Sequence, residues 1–405
     1  MEDKKYLYLV KVEPHANNNK YYKMIQLDDN NFQVEYGRIA CASPAKRIYE
    51  MSDWDSKLKE KIEKKHYVDQ TRLVAEIRVT GKTNEYIEIK DASIRNIVLR
   101  LQQMARQAIK DNYTITSESV TKVMINEAQL MLDKLIHSNK MDIFNKLLVE
   151  LFQIIPRKMA RVSDYLAHNN NDFTIIMERE QDLLDVMEGQ VKQQELVQDT
   201  NISVEELPSQ TILEVMGLKI ENITEKDERI IKSNLADIAN RFCQGWKITN
   251  LRTQKKYDKF IQENKIKDNR LLFHGSRNEN FWSIINNGLI LRPSAIITGK
   301  MFGYGIYFAP NPKKSLGYTS IEGSYWSNGN SKSAFMGLFD VAYGKPYDVY
   351  SFEHDYNSLT YEKLQNKCSG ANSLHAHKDK GMLRNDEIVV YREEQLTIKY
   401  LIELK

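Results

Sequence analysis

The sequence predicts an α+β multidomain protein in which a β-rich module, a helical bundle and a second α/β domain follow one another along the chain. Short strand-like runs separated by turn residues occupy residues 1–80, and apolar residues at helical spacing dominate residues 92–204. Strand patterns and glycine-containing loops return in residues 205–405. Residues 81–91 are interpreted as a linker.

Length and composition limit the class of protein. A chain of 405 residues should hold two or three domains, and a formal net charge of +3 leaves any nucleic-acid contact to local basic patches. The three cysteines, Cys41, Cys243 and Cys368, are odd in number and scattered, which favours a reducing compartment over a disulfide framework. The first residues lack a signal-peptide core, and no apolar run reaches the roughly 18 residues of a membrane span. We therefore expect a soluble intracellular protein without a membrane partner.

Residues 1–80 are expected to form a small β-rich domain. The polar cluster 28–31 lies between two strand-like runs, so a hairpin is predicted there, and Gly37 ends the following strand. Trp54, Leu58 and Ile62 then recur at helical spacing. The expected elements are strands at 6–10, 20–27 and 32–36 and a helix within 52–67.

Residues 92–204 are expected to form an all-α bundle. Apolar residues near i, i+3, i+4 and i+7 spacing predict helices within 94–109, 120–135, 144–155 and 175–190. Pro156 ends the third of these helices, because proline cannot continue a helix interior.

The last domain begins with short elements. Thr224 and Asp227, three residues apart, predict a capping box at the start of a helix that extends through Leu235. A strand is expected at 246–252 and a short helix at 255–260. An apolar pair then leads into His-Gly-Ser, and a second glycine-rich loop precedes the run Ile-Tyr-Phe-Ala.

Three separated motifs in this last domain resemble the signature of the poly(ADP-ribose) polymerase family. His274 lies in LLFHGSR, Tyr307 in GYGIYFA, and Glu387 in RNDEIVVYREEQLTIKYLIEL. Ser315 and Tyr318 follow Tyr307 at the family's offsets. The combination is more specific than any single motif, since each motif by itself is common in strands and turns.

The resemblance implies a mixed two-sheet ADP-ribosyltransferase fold over residues 205–405 that binds NAD as its substrate and needs no metal. Glu387 would be the catalytic acid that binds the nicotinamide-ribose 2′-hydroxyl and activates the acceptor. His274 would hydrogen-bond a ribose hydroxyl, and Tyr307 would line the nicotinamide site.

The resemblance also implies the residues that bind NAD. The backbone of Gly275 and the hydroxyl of Ser315 would bind the nicotinamide carboxamide, and the Tyr318 ring would stack on the pyridine. Lys314 would pair with the catalytic Glu387. The remaining implied NAD-binding residues are Ser276 and Asn280.

Residues 1–80 resemble a WGR domain, the module beside the catalytic domain in family members that respond to DNA breaks. The matching segments are 19–24 and 36–39, with Tyr36 where the family's tryptophan usually stands. The implied DNA-binding residues are Tyr36, Arg38, Lys20 and Lys23, with aromatics on exposed bases and cations on phosphates. The residues by themselves leave an alternative open, in which the tyrosines form the core of a sheet and the lysines a solvated surface.

Residues 92–204 resemble the helical regulatory domain of the same family. The matching segments are NKLLVELFQIIP and EREQDLLDVMEG. Gln181 stands where relatives often have an aspartate, and Ile290 stands where relatives often have an arginine near the adenine. Contacts on the adenine side of NAD are therefore not assigned.

The expected function is that of an NAD-dependent protein (poly)ADP-ribosyltransferase, a glycosyltransferase that releases nicotinamide and modifies protein acceptors including itself. The WGR-like module implies stimulation by DNA ends or breaks in a DNA damage response. Two alternatives remain: a DNA-end-binding scaffold with a weak or silent NAD site, and a mono-ADP-ribosyltransferase. The compartment would be the cytoplasm or nucleoid of a bacterium, or the nucleus of a eukaryote.

A metal site is not expected. Cys368, His375 and His377 are the candidates, but histidines at i and i+2 do not have the paired spacing of a structural zinc site, and a fourth ligand is missing. The segment is interpreted as a loop between strands.

Overall fold

The protein is described by a computed structural model as a mixed α/β chain with several sheets and helices. Its residues group into two compact units, Met1–Thr83 with Arg106–Val191 and Asn84–Ala105 with Lys192–Lys405. The residues described are 4–74, 86–113, 120–199, 210–291, 301–321, 323–324, 327–328, 331–378 and 383–405. The predicted linker 81–91 lies partly outside these residues, and the predicted boundary at 204 wholly so. The predicted domain boundaries therefore stay predictions.

The first unit begins with an antiparallel five-stranded sheet of order β4-β3-β2-β1-β5. The hairpin predicted at 28–31 is present, because Asp28 Oδ1 accepts the backbone N–H groups of Asn30 and Asn31 at 2.8 Å each. Trp54 packs with Phe32 in the core beneath the sheet. The elements are β1 Tyr6–Glu13, β2 Asn18–Gln26, β3 Asn31–Arg38, β4 Ala45–Glu50, α1 Trp54–Lys59, β5 Val68–Asp69 and α2 Thr71–Val74.

Four long helices follow where helical spacing predicts them. The division between the units falls within the first of them, at Ala105. The rings of Phe144 and Phe173 stack at 4.0 Å between centroids, and a buried ion pair joins Arg157 to Glu180. The helices are α3 Ala92–Asn112, α4 Lys122–Ile136, α5 Met141–Ile154 and α6 Asp172–Asp199. None of the described helices combines the length and apolar character that a membrane crossing requires.

The second unit contains a five-stranded antiparallel sheet of order β6-β7-β16-β12-β8. The helix α8, Glu225–Leu235, starts with the predicted capping box between Thr224 and Asp227. Ile231 and Leu235 on this helix pack against the sheet. The elements are α7 Ile212–Val215, β6 Leu218–Asn222, α8 Glu225–Leu235, β7 Phe242–Asn250, α9 Leu251–Asn264, β8 Asn269–Gly275 and α10 Phe281–Asn287, with β12 Ala334–Ala342 and β16 Leu396–Leu404.

The second unit also contains a four-stranded sheet, of order β13-β14-β15-β9. The two sheets are joined where Phe273 and Ala309 exchange backbone hydrogen bonds of 3.2 and 3.3 Å. Pairing in this sheet is antiparallel except between β13 and β14. The elements are β9 Ile306–Phe308, α11 Pro312–Leu316, β10 Gly323–Ser324, β11 Ser327–Asn328, β13 Pro346–Val349, α12 Tyr361–Lys367, β14 Ser373–Ala376 and β15 Glu387–Val390.

The structure corrects three of the expected elements. Residues 45–50 form the edge strand β4, which the pattern did not predict because most of its side chains are exposed. The strand expected at 246–252 begins at Phe242 and ends at Asn250, where Asn250 caps α9. The segment interpreted as a loop around His375 contains the strand β14.

Candidate active site

The end of β8 lies directly against the backbone of α11. Gly275 is the last residue of β8, and a Cβ built on it would lie 1.8 Å from the carbonyl oxygen of Ser315. No side chain fits at that distance, so only glycine allows the two backbones to approach in this way. The buried Ser315 hydroxyl donates to the carbonyl oxygen of Phe273 at 3.1 Å. Two residues predicted to bind nicotinamide are thus in contact.

Tyr318 lies one turn beyond this contact. Its backbone N–H donates to the Ser315 carbonyl oxygen at 3.1 Å, which links it to the same short helix. Its side chain is 54% exposed. An accessible aromatic ring at this position can stack on a planar ligand.

His274 is oriented by a backbone carbonyl. Its Nδ1 lies 3.3 Å from the carbonyl oxygen of Tyr307. Because a carbonyl oxygen can only accept, Nδ1 carries the proton in the neutral imidazole, and Nε2 is the acceptor nitrogen. The rings of Phe308 and Phe339 pack edge-on against the imidazole, each with a centroid separation of 6.1 Å.

The hydroxyl of Tyr307 holds the glycine-rich loop before β9. It accepts the backbone N–H of Phe302 at 3.0 Å and donates to the carbonyl oxygen of Gly303 at 3.0 Å. Burial raises the pKa of the Tyr307 phenol well above its ordinary value, and the charge of Glu387 adds to the rise. Tyr307 therefore stays protonated and positions the loop and His274, instead of acting as a base.

Glu387 is the first residue of β15 and is buried. Its Oε1 accepts a hydrogen bond from the Lys314 ammonium in an ion pair. Its Oε2 is also buried and has no hydrogen-bond partner among the described residues. A buried oxygen without a donor costs about 1–3 kcal/mol, so this atom is suited to a ligand hydroxyl.

The strand register brings these groups together. Ile388, next to Glu387, pairs with Phe308 on β9, and Phe273, next to His274, bridges to Ala309 directly after β9. Strands β8, β9 and β15 are therefore consecutive neighbours at the junction of the two sheets. Residues from three distant parts of the chain converge there.

The loop after β8 is held by asparagines. Asn280 donates from Nδ2 to the Ser276 hydroxyl at 3.0 Å, while its buried Oδ1 has no partner among the described residues. Asn278 was not singled out from the sequence, yet its side chain donates to the Ser333 carbonyl and accepts from the Phe335 N–H. Nothing in the local pattern distinguishes Asn278, because both partners lie far along the chain, at the start of β12.

Gln181 and Ile290, the two residues that differ from the family's usual residues near the adenine, have different surroundings. Gln181 is buried within the first unit and exchanges side-chain hydrogen bonds of 2.9 and 3.0 Å with Gln129. Ile290 lies in the second unit and is partly buried.

The residues implied to bind DNA are mostly engaged within the first unit. The Arg38 guanidinium donates to the carbonyl oxygens of Asn17 and Ala160 at 2.6 Å each. Lys23 lies 3.4 Å from a carboxylate oxygen of Glu35. The two remaining residues are Tyr36, whose ring packs 5.8 Å from that of Tyr22, and Lys20, which is exposed. This packing favours the alternative in which Tyr36 belongs to the core of the sheet.

Comparison with known proteins relates the sequence of the second unit to one family. The sequence model of the Poly(ADP-ribose) polymerase catalytic domain matches residues 228–405. The protein "Putative poly [ADP-ribose] polymerase-like 100L" of invertebrate iridescent virus 6 is 33% identical over 173 residues, which are 41% of this chain and 87% of the viral protein. "Poly [ADP-ribose] polymerase 2" of Arabidopsis thaliana is 30% identical over 36% of this chain, and its namesake in Caenorhabditis elegans is 33% identical over 34%. The matches span only 26% and 27% of those two proteins.

The matched region includes the four-stranded sheet, every strand of the second unit's five-stranded sheet except β6, and the whole candidate site. It defines the class of the protein as an NAD+ ADP-ribosyltransferase enzyme, a transferase with NAD as its substrate. The chain belongs to the poly(ADP-ribose) polymerase family.

Proposed function

We propose that this enzyme transfers ADP-ribose from NAD to protein acceptors, itself included. It then adds further ADP-ribose groups to the first one and so forms poly(ADP-ribose). The observation that carries the proposal is the buried Glu387 carboxylate, which is paired with Lys314 through one oxygen and has its other oxygen without a partner among the described residues. Such a group offers one acceptor to a substrate hydroxyl while its charge remains compensated.

The nicotinamide half of NAD is assigned to the contact between β8 and α11. The Gly275 backbone can offer both an N–H and a carbonyl to the carboxamide, since no side chain covers it. The Ser315 hydroxyl, now on the Phe273 carbonyl, can turn to the same carboxamide. The Tyr318 ring stacks on the pyridine, and Tyr307 lines the opposite side.

The ribose groups are assigned to the acid and the histidine. Glu387 accepts the 2′-hydroxyl of the nicotinamide ribose, and His274 accepts a ribose hydroxyl through Nε2, near Ser276 and Asn280. The bond between C1′ and the pyridine nitrogen breaks, and its electron pair leaves with neutral nicotinamide. The negative carboxylate stabilises the oxocarbenium-like ribose, and an acceptor hydroxyl or carboxylate then bonds to C1′. The proton of a hydroxyl acceptor passes to Glu387 and then to solvent.

The substitution Glu387→Gln tests this assignment. The variant keeps the size of the side chain but loses its charge, so nicotinamide release should fall about 100-fold or more, and long products should disappear. Glu362→Gln, at an exposed glutamate of α12, is the matched control. Release is measured with labelled NAD, and product length is read from the mobility of the automodified enzyme. If the poly(ADP-ribose) made by Glu387→Gln under excess NAD were as long as that of the wild-type enzyme, the role of Glu387 would be refuted. Discrete bands of automodified wild-type enzyme would indicate single transfer.

Stimulation by DNA ends is the second part of the proposal, and it rests on the resemblance of residues 1–80 to a WGR module. It is supported by the exposed edge strand β4, which carries Lys46, Arg47 and Ile48, and by the exposed Lys20 on β2. Lys46 and Ile48 share one face of β4, and a cation beside an apolar side chain suits phosphates and unpaired bases. Labelled NAD turnover with and without nicked or blunt duplexes tests this. Equal rates in all three reactions would contradict it, and Arg47→Glu should reduce the stimulation by DNA.

A further inference from the structure

Two histidines and two aspartates lie on one face of the four-stranded sheet. Asp348 on β13 is paired in register with His375 on β14, so the two side chains point to the same face. His377 and Asp386 share this face, because His377 lies two residues after His375, and Asp386 lies two residues before Ile388, the partner of His375 on β15. Glu387 points to the opposite face. The cluster is therefore separate from the proposed catalytic site.

The potential ligand atoms of this cluster are close together. Those of Asp348, His375 and His377 all lie within 4.8 Å of one another, and His377 Nε2 is 2.7 Å from Asp348 Oδ1. His375 Nε2 is 3.5 Å from Asp386 Oδ2. Four ligands around one zinc ion would be roughly 3.4 Å apart, given metal–ligand distances near 2.1 Å. Small side-chain rotations are enough to reach that arrangement.

One atom of the cluster points to a ligand. His375 Nε2 is buried and, at 3.5 Å from Asp386 Oδ2, makes no well-formed hydrogen bond within the described part of the chain. His375 Nδ1 lies 2.9 Å from the Tyr343 hydroxyl, which can accept the Nδ1 proton and leave the lone pair on Nε2. Metal-binding histidines are commonly held in this way by an oxygen on the other ring nitrogen. Two ordinary histidine–aspartate pairs would instead satisfy both Nε2 atoms.

The neighbouring groups also fix the other ligands. The Lys378 backbone N–H donates to Asp386 Oδ1 at 2.9 Å, which directs Oδ2 toward the cluster. The His377 ring stacks on Tyr350 at 4.5 Å and lies 4.0 Å from the His375 ring. His375, His377 and Asp386 are thus each oriented by a contact outside the cluster, as the ligands of metal sites commonly are.

We propose that Asp348, His375, His377 and Asp386 bind a divalent transition-metal ion, with Zn²⁺ as the ion that two imidazole nitrogens and two carboxylate oxygens suit best. The ion would link β13, β14 and the residue that precedes β15. Because Asp386 is adjacent to Glu387 in the chain, metal binding would restrict the backbone that carries the proposed catalytic acid. The metal has no role in the transfer chemistry, and the proposal does not depend on the proposed function.

The proposal is tested on the full chain after treatment with a chelator. Calorimetric titration with Zn²⁺ should give one site, and Co²⁺ should give the strong visible absorption of a four-coordinate complex without a thiolate charge-transfer band. Asp348→Asn and His377→Ala should each weaken Zn²⁺ binding about 10-fold or more. His354→Ala, at an exposed histidine of the same unit, is the control and should leave affinity unchanged.

Three results would overturn the proposal: no Zn²⁺ binding at micromolar protein, binding that both ligand variants leave unaltered, or a thiolate band with Co²⁺. Asp348 is exposed, so Asp348→Asn keeps the test valid even if a change at a histidine disturbs folding. A thiolate band with Co²⁺ would assign the metal to a cysteine and contradict the set proposed here.

Discussion

Replacement of Gly275 by alanine is the sharpest test of the contact between β8 and α11. The added Cβ would lie 1.8 Å from the Ser315 carbonyl oxygen, 2.7 Å from its carbonyl carbon and 3.2 Å from its Cα. Backbone atoms cannot rotate away as a flexible side chain can. To reach even 3.0 Å from the oxygen, the strand end and the helix must separate by about 1.2 Å, which is 3.0 minus 1.8.

That separation sets the expected loss of activity. A displacement of about 1 Å between groups that hold a substrate can cost about 100-fold in rate. Gly275→Ala should therefore lower kcat/KM for NAD by about 100-fold, and overpacking should cost about 1–3 kcal/mol of stability. Nicotinamide release gives the first quantity, and urea unfolding gives the second.

A matched variant separates the two effects. Gly370→Ala adds a methyl group at a positive φ of 75°, with no atom within 4 Å of the new Cβ, so it strains the backbone far from the nicotinamide contact. It should lose stability without the 100-fold loss in kcat/KM. If Gly275→Ala turned over NAD at the normal rate, the two backbones would not be held in contact as described, and the reasoning would be refuted.

Three further predictions concern charges and hydrogen bonds. Lys314→Met leaves the Glu387 carboxylate buried without its cation and should lower kcat about 10- to 100-fold, measured by NAD turnover. A hydrogen bond from the Thr224 hydroxyl is the chief cause that lowers the pKa of Asp227 from 3.8 to about 2, so this group stabilises the fold above about pH 4 and loses that contribution as the pH falls toward 2. Asp227→Asn should therefore reduce the free energy of unfolding by about 1 kcal/mol at pH 7 and by less at pH 3. Urea unfolding at both pH values measures this, and a larger loss at pH 3 than at pH 7 would contradict it. Arg38→Met removes donors from three backbone carbonyls, those of Asn17, Met159 and Ala160, and should destabilise the first unit by about 1–3 kcal/mol, whereas a phosphate-binding arginine would affect only DNA binding.

Local sequence patterns predicted the elements whose causes are local. The four long helices follow apolar spacing, and the capping box at Thr224 forms because both partners lie within one turn. The glycine after α10 also ends that helix, with a φ of 80° at Gly288. The motif residues His274 and Tyr307 were found from the resemblance, since neither residue is unusual by itself in a strand.

The contacts between residues on distant segments depend on strand register, which a local sequence pattern does not contain. Asp348 is absent from the local pattern around Cys368, His375 and His377, because it reaches His375 only through a parallel pairing between β13 and β14. Histidines at i and i+2 lack the spacing of a paired zinc motif, but in a strand that spacing puts both on one face. The contacts of Arg38 were not predicted for a similar reason, since its carbonyl partners at Met159 and Ala160 lie on another segment of the unit.

The strand β16 lies in the centre of the five-stranded sheet of the second unit, and this position has a consequence for synthesis in the cell. The strands on both sides of it, β7 and β12, leave the ribosome earlier, and so does β8 with His274. Until β16 inserts between them, the sheet is divided, and its two parts expose unpaired edges. A nascent chain therefore cannot consume NAD before translation has passed the last strand, and ribosomes stalled upstream of it would carry inactive, aggregation-prone intermediates.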